Sequence, residues 1–178
     1  MFYKNRRIRF GNGIEFWQYS ENILIENCTF NQVYDSCITH QGSRATVTPA
    51  KNMICRGNTF NNYSMAAFEY RDRLPIASSF ENNVCTNAGC GFGVQGEDIP
   101  RRSEIYPQPM GHHIFLWRID KKSENGGLLI KNNHFGYTSQ GFAVYSIICP
   151  EAENQITFGN NTYVENSRWY FNKNIINM

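Results

Sequence analysis

The sequence has 178 residues, of which 41% are hydrophobic, 15% aromatic and only 18% charged. This length and composition predict one domain, residues 1–178, with a buried core, and they exclude a disordered or coiled-coil chain. A formal net charge of +2 gives no reason to expect a nucleic-acid partner, and no apolar run is long enough to span a membrane.

The six cysteines form no CxxC pair and show no zinc-type spacing, so no metal site and no cofactor is expected. Most of them lie inside apolar patterns, where a free cysteine behaves as a small buried hydrophobe. Disulfide formation stays open as the alternative.

In chain order, the first ten residues carry no clear pattern, and residues 13–17 have the features of a strand that closes an incomplete unit. The first full unit begins at Ile23. It contains a short apolar run, residues 23–25, then a polar corner with Phe30, then a second run, residues 37–40, that ends before Gly42. Both runs are too short for an ordinary helix and contain β-branched residues, which favours strands.

Similar corners recur along the chain, each with an aromatic residue or a cysteine two positions later. The matching corner positions are Cys28, Asn58, Asn83, Asn133 and Asn161. They lie 30, 25, 50 and 28 residues apart, and the interval of 50, taken as two periods, predicts a further unit with residues 113–117 as its strand. A period near 25 with short strands is typical of a β-solenoid.

Helical repeats and an antiparallel sandwich are the alternatives to the solenoid. Helical repeats fail because Gly and Asn interrupt every candidate helix. An antiparallel sandwich would not place an Asn–aromatic pair at one fixed phase in unit after unit. Parallel stacking at the strand spacing of about 4.8 Å does so, because identical side chains then form ladders. The predicted fold is all-β, a solenoid of about five to six coils that forms part of a longer helix.

The corners NCTF, GNTF, NNHF and NNTY, with the strand end ITHQG followed one coil later by FEY, resemble the right-handed parallel β-helix superfamily, the pectate-lyase-like fold. The resemblance covers roughly residues 13–171 and extends to a broad bacterial set of β-helix proteins. It implies a polysaccharide partner and a polysaccharide lyase or glycoside hydrolase acting on extracellular or capsular polysaccharide. The alternative that it implies is a non-catalytic binding or structural β-helix, such as a tailspike or adhesin segment. An extracellular or cell-surface location is expected if the chain is part of a longer secreted protein, and the oligomeric state stays open.

Polar residues gather at one phase of the repeat, at the strand ends of residues 37–41, 67–71 and 94–95, beside a long insertion at about residues 95–111. We expect a catalytic groove there, with Glu69 as acid or base and His112 or His113 as its partner. Strand alternation places Glu69 on the outer face, and one of the two adjacent histidines must also face outward. His40 is a further catalytic candidate, although the same alternation turns it inward and favours a structural histidine.

The substrate-binding residues expected in this groove are Gln41, Arg71, Gln95, Arg101 and Arg102. Arg101 and Arg102 lie in the insertion, and a guanidinium group there suits the carboxylate of an anionic sugar. The three tryptophans can stack on sugar rings, but aromatic residues in strands more often pack in the core; they are Trp17, Trp117 and Trp169.

Overall fold

The computed structural model describes residues 2–3, 6–7, 11–41, 49–90, 111–117, 119, 127–138, 143–147, 154–164 and 168–171. These residues form strands, turns and bends, with no helix among them. Accordingly, nothing in the described part of the chain is a helix long and apolar enough to cross a membrane.

The strands are numbered β1 to β18 in chain order, and β1 (Phe2–Tyr3) and β2 (Arg6–Arg7) form a short antiparallel pair. The others form three parallel sheets of five, five and six strands, named here sheets 1, 2 and 3. Sheet 1 contains β4 (Glu21–Glu26), β7 (Lys51–Arg56), β10 (Ser78–Glu81), β13 (Leu128–Lys131) and β16 (Ile156–Gly159). Sheet 2 contains β5 (Thr29–Val33), β8 (Thr59–Tyr63), β11 (Val84–Ala88), β14 (His134–Phe135) and β17 (Thr162–Tyr163). Sheet 3 contains β3 (Ile14–Phe16), β6 (Ser36–His40), β9 (Ala66–Arg71), β12 (His112–Trp117), β15 (Ala143–Ile147) and β18 (Arg168–Phe171).

The chain visits sheets 1, 2 and 3 in turn, and each new strand pairs in parallel with the strand one visit earlier. In sheet 1, for example, Ile25 is in register with Cys55, and Cys55 with Phe80. The prediction of parallel stacking is therefore confirmed, and the antiparallel alternative is wrong. The result is an all-β chain in a solenoid-like arrangement of parallel strands.

The extra unit predicted between Asn83 and Asn133 does not exist. Phe80 is in direct register with Ile130, and Cys85 with Phe135, so the two asparagines belong to adjacent repeats. Strand β12 lies between β9 and β15 and is the sheet 3 strand of the same repeat as β10 and β11. The interval of 50 is long because residues 89–111 separate β11 from β12, and an insertion of about one period mimics a repeat in the sequence.

A hydrogen-bonded asparagine ladder runs through the corner between sheets 1 and 2. The carbonyl oxygen Oδ1 of Asn83 accepts from the backbone N–H of Asn58, that of Asn133 from Asn83, and that of Asn161 from Asn133, each at 2.9 Å. Asn58 accepts in the same way from the backbone N–H of Cys28, also at 2.9 Å. Because Asn58, Asn83 and Asn133 are almost fully buried, these bonds satisfy polar groups that water does not reach.

The residue before each ladder position adopts a left-handed backbone conformation. Its φ is between 52° and 65° in all five corners, at Asn27, Gly57, Asn82, Asn132 and Asn160. Asparagine and glycine tolerate this conformation better than other residues. The asparagine pairs of the sequence thus have two separate functions, since the first residue makes the turn and the second makes the ladder.

Aromatic side chains stack along sheet 2, two residues after the ladder positions. The ring centroids of Phe30 and Phe60 are 4.9 Å apart, and those of Phe135 and Tyr163 are 5.8 Å apart. The thiols of Cys37, Cys55 and Cys85 are free and buried in the core, as the sequence predicts, whereas Cys28 is exposed.

Candidate functional site

The outer face of sheet 3 is built by a regular column of side chains that point away from the core. Glu69 is in register with Thr39 on one side and with Phe115 on the other. The preceding residue, Phe68, belongs to the hydrophobic core, so Glu69 lies on the opposite face. This is the side of the sheet on which the sequence placed it.

The carboxylate of Glu69 contacts Ser36, Thr39 and Arg71 among the described residues. Its Oε2 accepts hydrogen bonds from the hydroxyls of Ser36, at 2.9 Å, and Thr39, at 2.8 Å. Its Oε1 lies 3.4 Å from the Nε atom of Arg71. The Glu69 side chain is 0% exposed, while that of Arg71 is 22% exposed. The hydroxyls and the guanidinium compensate the carboxylate for the water that burial removes.

A second carboxylate, Glu15, stands in the same column. It is in register with Thr39, which is in turn in register with Glu69, so two strand spacings, roughly 10 Å, separate the backbones of the two acids. Glu15 is exposed and accepts a hydrogen bond of 2.6 Å from the side-chain amide of Asn12.

Trp17 follows β3 directly and is 58% exposed. The sequence favours a core position for Trp17, and Glu15 is not among the predicted site residues. The signal was nevertheless present, because Ile14 and Phe16 pack against the core, and alternation then directs Glu15 and Trp17 outward.

Gln41 and Arg71 continue the row at the ends of the next two strands. The backbone N–H of Gln41 donates a hydrogen bond of 2.9 Å to the carbonyl of Phe16, which places Gln41 beside Trp17. Arg71 follows Tyr70, the residue in register with His40. The structure therefore places Gln41 and Arg71 at neighbouring strand ends, with Arg71 next to Glu69. We call this row, in which Glu15 and Trp17 are exposed and Gln41 and Arg71 are half-buried, the Trp17 patch.

His40 lies on the inner side of sheet 3. Its ring is fully buried and stacks on the ring of Tyr70, with centroids 5.0 Å apart. Among the described residues, neither ring nitrogen has a hydrogen-bond partner. Burial, assisted by the positive charge of Arg71, lowers the pKa of His40 to about 4, so the ring is neutral near pH 7. The inward orientation expected from strand alternation is found here.

His113 is also a core residue. The hydroxyl of Tyr63 donates a hydrogen bond to its Nδ1, and its Nε2–H donates to the carbonyl of Gly136 at 2.9 Å. Its ring stacks on Phe135, with centroids 5.5 Å apart. Burial lowers the pKa of His113 to about 4 despite the raising effect of the Gly136 hydrogen bond. These contacts describe a neutral, fully satisfied histidine.

His112 lies on the other side of the strand but is only 1% exposed. Its ring stacks on that of Phe115 at 5.2 Å, and Phe115 forms a small cluster with Met65 and Ala66 that is separate from the main core. One histidine of the pair thus faces outward, as expected, but its ring is covered rather than accessible.

The remaining predicted residues lie outside the described part of the chain, namely Gln95, Arg101 and Arg102. One position can be corrected. The sequence placed residues 94–95 in the strand next to β9, whereas β12 occupies that place, with Phe115 in register with Glu69. Within the described residues, no three His, Cys, Asp or Glu side chains are arranged to hold a metal ion.

Comparison of the sequence with protein-family models, with curated proteins and with solved structures finds no match. The functional argument therefore depends on the geometry of the described residues.

Proposed function

We propose that this protein is a polysaccharide-binding β-helix of the right-handed, pectate-lyase-like type, which binds its ligand along the Trp17 patch. Parallel strands reached by successive crossovers support this fold, since such crossovers are right-handed in about 98% of cases. The observation that carries the function is the exposed indole of Trp17 beside polar side chains on a rigid sheet.

The chemistry of the patch suits a sugar chain. The C–H face of a sugar ring is apolar and packs on an indole, whose N–H can still meet a partner. The carboxylate of Glu15 and the amide of Gln41 can exchange hydrogen bonds with hydroxyl groups. The partly exposed guanidinium of Arg71 adds a donor fork for a sugar carboxylate.

Binding is favoured over catalysis because the four catalytic candidates are buried. Glu69, His40 and His113 are 0% exposed, and His112 is 1% exposed. A general acid or base must come within hydrogen-bond reach of the proton that it transfers. The two histidines on the inner side cannot do so without opening the core.

An enzymatic function is the second candidate, and the spacing of the two acids in one column favours it. Inverting glycosidases place two carboxyl groups about 6.5–9.5 Å apart. The backbones of Glu15 and Glu69 are separated by two strand spacings, roughly 10 Å, which is compatible with that range once side chains are added. A lyase would instead use Glu69 as base and Arg71 as the cation that stabilises the carbanion. Either reaction requires that ligand binding uncovers Glu69.

The test is a panel of acidic and neutral polysaccharides assayed for binding by affinity electrophoresis and calorimetry, with new reducing ends and unsaturated products followed in parallel. Trp17→Ala is expected to weaken binding by about tenfold or more, which corresponds to about 1.4 kcal/mol. The matched control is Tyr137→Ala, which removes an aromatic side chain of similar exposure, 51%, from a distant repeat.

Wild-type affinity in the folded Trp17→Ala variant would refute the proposed binding surface. The formation of reducing ends or unsaturated products would favour the enzymatic candidate. In that case Glu69→Gln must abolish turnover, since the amide retains the shape of the acid and lacks its ionisable group.

A further inference from the structure

A groove of about 370 Å³ lies on the outer face of sheet 1, away from the Trp17 patch. It lies across β10, where Ser79 is in register with Ile54 of β7 and with Leu129 of β13. The groove is lined by Asn52, Ile54, Ala77, Ser78, Ser79, Glu81, Gly127, Leu128, Leu129 and Thr157. Its volume is within the range of small-molecule sites, about 300–1,000 Å³.

The groove exists because small residues interrupt an aliphatic column. Leu24, Ile54 and Leu129 point outward from their strands, but the residue between Ile54 and Leu129 is Ser79. Ala77 and Gly127, which lie two residues before Ser79 and Leu129 in the chain, also line the groove and are small. The two aliphatic walls are two strand spacings apart, roughly 10 Å between backbones. After allowance for the side chains, the slot admits one flat ring.

The polar groups at the rim combine hydrogen-bond donors and acceptors. Ser79 donates a hydrogen bond of 3.0 Å to Glu81, and Lys131 lies 3.2 Å from the other oxygen of the same carboxylate. The hydroxyl of Thr157 and the side chain of Asn52 stand at the exposed borders of the groove. Donors and acceptors are therefore both present, and the carboxylate of Glu81 lines the groove, whereas Lys131 pairs with it from outside the lining.

The floor of the groove cannot bind an extended peptide in the usual way. Strand β10 is already hydrogen-bonded to β7 on one side and to β13 on the other. A peptide that binds by strand addition needs a free sheet edge, and this face has none. A ligand must instead be held by aliphatic contact and side-chain hydrogen bonds. A sugar ring combines an apolar C–H face with hydroxyl groups that both donate and accept.

We propose that this groove binds one ring of a neutral saccharide between Ile54 and Leu129, with its hydroxyl groups on Ser79 and Glu81. A uronate ring is disfavoured because its carboxylate would lie near that of Glu81. This site is separate from the Trp17 patch, and its existence does not depend on the function proposed for that patch.

The test is a titration of the ¹⁵N-labelled full chain with neutral di- to tetrasaccharides of glucose and galactose, and with a uronate oligosaccharide. The amide signals of Ile54, Ser79 and Leu129 are expected to shift in a saturable way with a neutral sugar. The uronate is expected to bind about tenfold more weakly.

Ser79→Leu continues the aliphatic column and fills the slot, so it is expected to weaken binding by about tenfold or more. Thr59→Leu is the matched control, because Thr59 is an exposed strand residue on the outer face of sheet 2.

The absence of saturable shifts for every neutral sugar would overturn the proposal. Shifts confined to the Trp17 patch, or full affinity in folded Ser79→Leu, would also overturn it. Equal affinity for the uronate, or Ser79-dependent binding of a neutral peptide pool but of no sugar, would overturn the assignment to neutral saccharides. If Ser79→Leu does not fold, the positions of the shifted amides in the wild type decide.

Discussion

The hydroxyl of Thr39 donates a hydrogen bond of 2.8 Å to the carboxylate of Glu69, although 30 residues separate the two in the chain. Ser36 donates to the same oxygen from the same neighbouring strand. Burial of Glu69 is therefore stabilised by a strand one repeat away, and the candidate site depends on correct stacking of the repeats.

Glu69→Gln is expected to lower the free energy of unfolding by about 2 kcal/mol. The amide has no charge for Arg71, and because its NH₂ group only donates, it retains one oxygen that can accept the hydrogen bonds of Ser36 and Thr39. Urea denaturation measures the change. Glu15→Gln, in the same column but exposed, is the control and is expected to stay within about 0.5 kcal/mol of the wild type. Equal effects of the two substitutions would contradict the role given to burial.

Asn83→Ala is expected to destabilise the protein by about 3 kcal/mol or more. The Asn83 side chain accepts from the backbone N–H of Asn58 at 2.9 Å and donates to the carbonyl of Cys55 at 3.1 Å. Both backbone groups would be left unsatisfied in a buried corner. The control is Asn31→Ala, which removes an exposed amide that accepts a 3.2 Å bond from Asn61 and is expected to cost less than about 1 kcal/mol. Similar losses in thermal or urea unfolding would argue against the buried ladder as the stronger element.

The stability of the protein is expected to fall as the pH is lowered from about 6.5 to about 4. The pKa values of His40 and His113 are lowered from 6.5 to about 4 by burial, so the unfolded chain binds more protons than the folded chain within this window. The contribution of these two neutral histidines to the free energy of unfolding is thus fully present above pH 6.5, and it is lost as the pH falls toward 4. A shift of this size corresponds to about 3 kcal/mol for each histidine.

Substitution by phenylalanine distinguishes the contributions of the two histidines to stability. His40→Phe keeps the stacking on Tyr70 and loses no hydrogen bond, so it is expected to flatten the dependence on pH with little cost at pH 7. His113→Phe leaves the Tyr63 hydroxyl and the Gly136 carbonyl without their partner and is expected to destabilise the protein at every pH. Denaturation curves at several pH values measure both effects. An unchanged slope between pH 6.5 and 4 in His40→Phe would show that His40 does not titrate as stated.

Ala77→Asn is expected to raise the free energy of unfolding by about 0.5–1 kcal/mol. Ala77 is exposed and has a φ of 48°. It occupies the same position of the repeat as Asn22 and Asn52, which also adopt a left-handed conformation. Asparagine tolerates this conformation better than alanine does. Ala77→Val, with a β-branched side chain, is expected to shift the midpoint of urea unfolding in the opposite direction. A lower midpoint for the asparagine variant would show that backbone strain at Ala77 is not relieved in this way.

The fold was accessible from the sequence because its repeating requirements are local. A ladder position needs an amide, and a core position next to it needs an apolar residue, so Asn58 and Phe60 recur in register. The alternation of side chains along a strand likewise predicts that Glu69 faces outward and His40 inward. Spacing alone could not tell an insertion from a repeat, which is why the interval from Asn83 to Asn133 was divided wrongly.

The solvent exposure of the candidate site residues was harder to predict from the sequence. Alternation predicts the side of a sheet but not whether that side is covered, and the rings of His112 and Phe115 are both buried on the outer face. It also fails where two consecutive residues of a strand face the core, as Cys37 and Ile38 do. The exposure of Trp17 depends on its position at the end of β3, where the general tendency of aromatic residues to pack inside does not apply.

The corner between sheets 1 and 2 contains two residues in every repeat, whereas the connections on either side of sheet 3 differ widely in length. The invariant corner fixes the alignment of each repeat on the last, so the chain can gain or lose residues beside sheet 3 without displacing any strand. The protein thus separates the part that must stay constant from the part that can diversify. New segments can be grafted next to the outer face of sheet 3 while the scaffold keeps its register.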